Sequence, residues 1–174
     1  MVRKKGSDSP LRGAAIIEAV KAAGGEFVAA LPDIVTCDSV LWPMTGDAGL
    51  CVIPVCKEDE GVSICAGLSY CNRRSVLLIQ HTGFLDSVNA VRAIAVEYEL
   101  PIFMIVGLQG MEPGRRPDQS DNLGIRIMQP ILETMEISYD VLASETDVTA
   151  LAPAIAQAYA DERPHVVLVA SSPV

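Results

Sequence analysis

Short apolar runs alternate with longer amphipathic segments along almost the whole chain. The apolar runs are short enough for strands, and they lie at residues 26–31, 50–55, 75–80, 101–108, 138–143 and 165–170. Apolar residues recur with a helical period in the segments between them, at residues 11–25, 34–44, 58–72, 85–98, 125–134 and 145–162. Ser9-Pro10 is typical of a capped helix start, and Gly24-Gly25 is typical of a helix end. The pattern therefore predicts an alternation of strands and helices.

This alternation defines a fold class. Strands that are apolar throughout and are separated by helices are typical of a parallel sheet covered on both faces. We therefore predict an α/β fold, with an open, mostly parallel sheet of five to six strands and helices on both faces. The helix at residues 34–44 is expected to be short because Pro43 disrupts it. We expect one domain, residues 1–174, in which residues 1–8 are disordered.

Charge and composition narrow the class of partner. The net charge of -9 argues against a nucleic-acid surface, which needs clustered Lys and Arg. The apolar runs are far shorter than the roughly 20 residues that span a bilayer, and the basic N-terminus lacks the apolar core of a signal peptide. We therefore expect a cytoplasmic protein with no membrane or nucleic-acid partner.

The metal-ligating residue types do not form a recognisable site. The five cysteines are odd in number and form no CxxC pair, and the two histidines, His81 and His165, show no ligand spacing. Buried free thiols and a reducing compartment are the simplest interpretation. We predict no metal site in this chain. Phosphate-binding patterns of the GxGxxG and GxxxxGK[ST] types are also absent from the sequence.

Polar residues follow the first four predicted strands. In open α/β sheets the ligand site forms outside the carboxyl ends of the strands. Asp33 follows the first strand, Glu58 the second, His81 and Thr82 the third, and Gln109 the fourth. The residues alone leave two interpretations of Glu58 open: a charge that stabilises the first turn of a helix, or a group that faces a ligand.

A resemblance to a known family distinguishes these interpretations. The run CKEDEGVSICAGLSYCNRRSVLLIQHTGFLDSVNAVRAIAVEYELPIFMIVGLQG carries Glu58 followed by an Ala-Gly pair at Ala66 and Gly67, and GFLDSVNA after a strand. It resembles the pyrimidine-binding domain of thiamine-diphosphate-dependent decarboxylases. The similarity is greatest to the short alpha subunit of sulfopyruvate decarboxylase and the matching half of phosphonopyruvate decarboxylase. It covers residues 11–110.

The resemblance implies roles for the strand-end residues. Glu58 would hydrogen-bond the aminopyrimidine ring of thiamine diphosphate, and Thr82 and Gly83 would form the turn under the cofactor. Asp33 would lie near the reacting carbonyl, where it could relay a proton or hold the substrate. His81 follows the third strand, where a neutral imidazole could act as an acid or base or hydrogen-bond the substrate. Their alternatives are an Asx turn or helix N-cap for Asp33, and a strand-end histidine satisfied by its surroundings for His81.

Two departures from the family pattern matter. The chain has no Gly-Asp-Gly run, which in the family holds the diphosphate and Mg²⁺, so the resemblance implies a separate diphosphate-binding beta subunit. Gln109 stands where an arginine is expected in phosphonopyruvate-type members. Arg115 and Arg116, in the following loop, could replace it in substrate binding, or they could be solvated surface residues.

The sequence therefore predicts the alpha subunit of a thiamine-diphosphate-dependent 2-oxoacid decarboxylase of the sulfopyruvate type, which releases CO₂ and an aldehyde. It is expected to act with a partner chain and also to self-associate. The alternatives are a phosphonopyruvate decarboxylase or carboligase subunit, and a non-catalytic α/β assembly protein.

Overall fold

The computed structural model describes residues 9–174 and contains one six-stranded sheet. The strands are β1 Phe27–Ala30, β2 Cys51–Pro54, β3 Ser75–Gln80, β4 Phe103–Gly107, β5 Ser138–Leu142 and β6 His165–Val169. They lie in the order β2-β1-β3-β4-β6-β5, and every neighbouring pair is parallel. The predicted α/β class is confirmed. The disorder expected for residues 1–8 lies outside the described residues.

Helices connect the strands. The α-helices are α1 Gly13–Ala22, α2 Trp42–Thr45, α3 Glu58–Tyr70, α4 His81–Asp86, α5 Val88–Ala90, α6 Leu123–Arg126, α7 Met128–Thr134 and α8 Leu151–Asp161. Two segments are π-helical, Cys37–Leu41 and Val91–Val96, and two are 3₁₀-helical, Pro117–Gln119 and Glu145–Ala150. Within residues 9–174, none of these helices has the length and apolar character needed to cross a membrane.

The core consists of two apolar layers, one on each face of the sheet. Val76 and Leu78 of β3 pack on one side with α1, α2 and α8. Leu77 and Ile79 of the same strand pack on the other side with α3, the segment from α4 to the π-helix, α6 and α7. Because both faces of the strand are buried, these four residues are fully inaccessible to solvent and form a continuous apolar run in the sequence.

Three local predictions are wrong. The first helix does not start at Ser9-Pro10: α1 begins at Gly13, after Arg12, and has no side-chain cap. The helix expected to start at residue 85 begins at His81, directly after the last residue of β3, so no loop separates strand from helix. Pro43 does not disrupt its helix. It is the second residue of α2, which directly continues the π-helical segment and extends to Thr45, so the helix passes through the proline although the Pro43 nitrogen donates no hydrogen bond.

Candidate functional site

The sheet order brings the strand-end residues to one edge. Strands β2, β1, β3 and β4 are consecutive neighbours and parallel, so their carboxyl ends point in one direction. Glu58 opens α3 after β2, Asp33 lies three residues beyond β1, His81 opens α4 after β3, and Gln109 lies two residues beyond β4. The four side chains therefore come from four adjacent positions along one edge of the sheet.

The partly buried Glu58 carboxyl group packs against Gly83 in the first turn of α4. A Cβ atom at position 83 would overlap Oε1, Cδ and Cγ of Glu58, so a glycine is required for this approach. The Glu58 carboxylate accepts no hydrogen bond from the part of the chain that the structure describes, residues 9–174. It is therefore a carboxylate held in place by packing, with its oxygens available to a ligand.

The capping role at the start of α3 belongs to a different carboxylate. Glu60 Oε2 accepts hydrogen bonds from the backbone N–H of Cys56 at 2.9 Å and of Lys57 at 3.2 Å. Asp59 forms an ion pair with Lys57 at 3.8 Å, on the protein surface. Of the three acidic residues in this turn, Glu58 is the one that forms neither a hydrogen bond nor an ion pair within residues 9–174.

The Asp33 carboxylate is almost fully buried, with 5% of the residue exposed. Its Oδ1 accepts from the backbone N–H of Val35 at 2.6 Å and of Thr36 at 3.1 Å, and its Oδ2 accepts from the Thr36 hydroxyl. A Cβ atom at Gly107, the last residue of β4, would lie 2.8 Å from Asp33 Oδ1. The carboxylate is thus wedged between its own turn and the end of β4.

His81 is buried, with 2% of the residue exposed, and its Nδ1 has no hydrogen-bond partner within residues 9–174. Burial lowers the pKa of His81, while the Gly107 backbone and the Asp33 carboxylate act in the opposite direction. Gly124 of α6 covers the other side of the ring, where a Cβ atom would lie 3.2 Å from Nε2. Burial therefore favours the neutral form of the His81 imidazole, and its Nδ1 is available for proton transfer or ligand binding.

Thr82 and Gly83 were expected in a turn after β3 and instead form the first turn of α4, because the helix starts directly at the strand end. The exposed Thr82 hydroxyl donates to Gln80 Oε1 at 2.5 Å. Both residues still lie at the same edge as Glu58, since Gly83 contacts it.

A large cavity of about 1020 Å³ lies at the carboxyl ends of the central and far strands. Ile34 and Val35, which follow Asp33, line it, whereas Glu58, Asp33 and His81 do not. Gln109 and Arg115 line it, together with segments that follow β1, β5 and β6. Arg116 is not among its lining residues. Arg115 forms an ion pair with Asp121 at 2.8 Å, and Arg116 forms one with Asp118 at 3.0 Å. The structure therefore places Gln109 and Arg115 on the wall of the same cavity and places Arg116 outside that cavity.

Three residues that contribute to this edge were missed by the sequence analysis: Thr36, Gly107 and Gly124. Thr36 had a local signal, since a Ser or Thr three residues after an Asp is positioned to bond its side chain in a turn. Gly107 and Gly124 had none, because their neighbours Asp33 and His81 are brought to them only by tertiary packing.

Comparison with known proteins identifies the family. No family model matches the chain. The chain is 30% identical over 125 residues to the sulfopyruvate decarboxylase subunit alpha of Methanothermobacter thermautotrophicus, a match that covers 72% of this chain and 74% of that protein. The chain belongs to the sulfopyruvate decarboxylase alpha-subunit family.

Other members of this family show the same relationship. The alpha subunit from Methanococcus maripaludis is 29% identical over 130 residues, covering 72% of this chain and 73% of the relative. The sulfopyruvate decarboxylase of Methanosarcina acetivorans is 28% identical over 156 residues, covering 88% of this chain but 38% of that longer protein. The resemblance of the sequence to this family is thereby confirmed.

Proposed function

We propose that the chain is the alpha subunit of a thiamine-diphosphate-dependent 2-oxoacid decarboxylase of the sulfopyruvate type. The observation that carries the proposal is the Glu58 carboxylate, which packs against Gly83 without a hydrogen-bond partner among residues 9–174. It lies at the same sheet edge as Asp33 and His81, in a chain of the sulfopyruvate decarboxylase family. Residues 1–174 form the pyrimidine-binding domain in this proposal.

The residues at this edge fit the pyrimidine half of the cofactor. Glu58 offers a free carboxylate oxygen, Gly83 leaves room for the Glu58 side chain at this edge, and His81 has a buried Nδ1 without a partner among residues 9–174. When bound, thiamine diphosphate supplies the electron sink that lets CO₂ leave a 2-oxoacid. Glu58 would bind the aminopyrimidine ring and hold a proton at its carboxylate, while Thr82 and Gly83 would lie beneath the ring.

The diphosphate and Mg²⁺ would be bound by a beta subunit. The chain contains no Gly-Asp-Gly run, so its sequence offers no diphosphate site of the family type. The match to the Methanosarcina acetivorans protein supports this division, because most of this chain corresponds to 38% of a longer protein named for the whole enzyme. The active form would then be a hetero-oligomer in which this chain also contacts copies of itself.

The substrate would occupy the region between the buried pair and the cavity. Asp33 and His81 would face the reacting end of a small 2-oxoacid. Gln109 and Arg115 line the adjacent cavity and would contact the second anionic group, where a guanidinium is suited to a sulfonate. Arg116, outside this cavity, would act on the substrate only after a rearrangement of its loop. The products would be CO₂ and an aldehyde.

Substitution of Glu58 tests the proposal. In a complex reconstituted with a candidate beta chain, thiamine diphosphate and Mg²⁺, Glu58→Gln should lower turnover of sulfopyruvate by about 100-fold or more, since an amide keeps the shape but cannot hold the proton. The matched control is Glu60→Gln, two residues away. Its side-chain oxygen can still cap the backbone amides, so turnover should be unchanged and stability should fall by at most a few tenths of a kcal/mol.

Other outcomes favour other functions. Equal, small effects of both substitutions on turnover would contradict the role assigned to Glu58. Decarboxylation of phosphonopyruvate in preference to sulfopyruvate, or formation of a carbon-carbon bond in place of the aldehyde, would identify a related enzyme. A chain that assembles with its partner but turns over no 2-oxoacid in a panel of such substrates would be the non-catalytic assembly protein.

A further inference from the structure

Both oxygens of the Asp33 carboxylate are engaged by the chain's own donors. Oδ1 accepts two backbone N–H bonds and Oδ2 accepts the Thr36 hydroxyl. In all three bonds the carboxylate is an acceptor, which is the role of its ionised form. A group that carries a proton to or from a substrate must lose and regain such partners during each turnover. The arrangement instead describes a carboxylate held in one position.

Thr36 is the residue that holds it. Its backbone N–H and its hydroxyl bond different oxygens of Asp33, so the two bonds prevent rotation of the carboxylate about its last side-chain bond. Thr36 is completely buried and lines no part of the adjacent cavity. It is therefore not a group that touches a substrate, and its polar atoms serve Asp33.

The fixed carboxylate lies next to the end of β4 and acts on His81. Asp33 Oδ1 and Val35 Cβ would be 2.8 Å and 2.9 Å from a Cβ atom at Gly107, so the turn is seated directly on that residue. Gly107 pairs with Gln80, the residue before His81. The negative charge of Asp33 favours the protonated imidazole and opposes the effect of burial.

Other charged groups near α4 are directed elsewhere. Lys57 pairs with Asp86 at 3.3 Å, and Arg126 of α6 donates to the Ser120 carbonyl at 2.6 Å. Glu58 of α3 packs on Gly83, two residues after His81 in the first turn of α4. Within the described residues 9–174, Asp33 is the charged group that favours protonation of His81, and its effect is smaller than those of burial and of the Gly107 backbone.

We infer that His81 is the proton-carrying group of the pair, that Asp33 is its fixed counter-charge and carries no proton itself, and that Thr36 is the positioning residue that holds Asp33 in place. This inference rests on the site assignment of the proposed function. It assigns a division of labour between two residues that the sequence treats as equivalent candidates, and it adds a third residue that lies outside the cavity.

The test is the titration of His81 in the full chain, followed by NMR of the imidazole signals. The chain has two histidines, so a His165→Gln variant assigns the His81 signals without ambiguity. Asp33→Asn should lower the midpoint of His81, because it removes the negative charge but keeps an oxygen for the turn. Thr36→Val, which has the same shape without the hydroxyl, should lower the midpoint in the same direction by a smaller amount.

The matched control is Thr36→Ser, which keeps the hydroxyl and should restore the wild-type midpoint. A His81 midpoint that is unchanged in Asp33→Asn would overturn the role of Asp33. If the His81 midpoint shifts in Asp33→Asn but not in Thr36→Val, and thermal unfolding shows that both variants are folded, the role of Thr36 is overturned. If Thr36→Val fails to fold, Thr36→Ala takes its place in the comparison with Thr36→Ser, and Asp33→Asn decides the role of Asp33 independently.

This titration needs neither cofactor nor partner, so its result is separate from that of the proposed function. If the reconstituted complex turns over sulfopyruvate, the pH dependence of kcat/KM in Thr36→Val should shift by the same amount as the His81 midpoint. If the complex shows no turnover, the proposed function fails while the titration still reports whether Thr36 and Asp33 control His81.

Discussion

The contact between Glu58 and Gly83 makes Gly83→Ala a demanding test of the proposed site. The new Cβ atom would overlap the end of the Glu58 side chain, and the carboxyl group would have to move by about 1 Å or more to restore ordinary contact. The overlap involves the end of a flexible, partly buried side chain and no backbone atom, so the chain relieves it by turning Glu58 away. The fold should therefore survive.

The expected effects on stability and on rate differ in size. Alanine is favoured over glycine in a helix by about 1 kcal/mol, which offsets the displacement of Glu58. The melting temperature should consequently change by no more than about 2–4 °C. A displacement of about 1 Å in a catalytic group costs about 100-fold in rate, so turnover in the reconstituted complex should fall by about that factor.

A double-mutant cycle shows whether the loss acts through Glu58. In the Glu58→Gln background the proton-holding group is already absent, so adding Gly83→Ala should lower turnover by little more. The assay is steady-state decarboxylation of sulfopyruvate by the four reconstituted complexes, with thermal unfolding of each chain. Turnover close to wild type in Gly83→Ala, or rate losses that multiply in the double variant, would refute the reasoning.

Two further predictions concern stability. Gly67→Ala should raise the free energy of unfolding of the chain by about 0.5–1 kcal/mol, because a Cβ atom there meets nothing within 4 Å. Gly61→Ala in the same helix should lower the free energy of unfolding, because its Cβ atom overlaps Leu77. Changes of the same sign for both variants in urea denaturation would contradict this prediction. Burial lowers the pKa values of His81 and His165, so the unfolded chain binds more protons than the folded chain below about pH 6.5. The stabilising contribution of the two neutral histidines is therefore fully present above about pH 6.5, and the free energy of unfolding should fall as the pH decreases toward the folded pKa values. Urea titrations should show a weaker fall in His165→Gln, and an unchanged slope would be evidence against this origin.

The sequence predicts the fold class well because the strands are buried on both faces. Residues 76–79 form an unbroken apolar run in the sequence, because two apolar layers cover both faces of β3. The order of the strands could not be read in this way. The chain passes from β4 to the edge strand β5 before it inserts β6 between them, and no local pattern records that crossover.

The candidate site was predictable only in part, for a similar reason. Asp33, Glu58 and His81 could be placed at one edge because parallel strands align their carboxyl ends. Their contacts depend on how separate helices pack. Gly83 was expected before the helix start, and its helical position and its role in admitting Glu58 become visible only when α3 and α4 are seen side by side.

The direct passage from Gln80 to His81 has a consequence for how this site can vary. An extra residue between them would rotate α4 by about 100° and carry His81, Thr82 and Gly83 away from their neighbours, with no loop to absorb the change. The long connection between β4 and α6, by contrast, runs over the surface beside the cavity and can change in length without moving the sheet. The end of β3 can therefore accept new side chains but no change in length, whereas the segment after β4 can vary in both length and sequence.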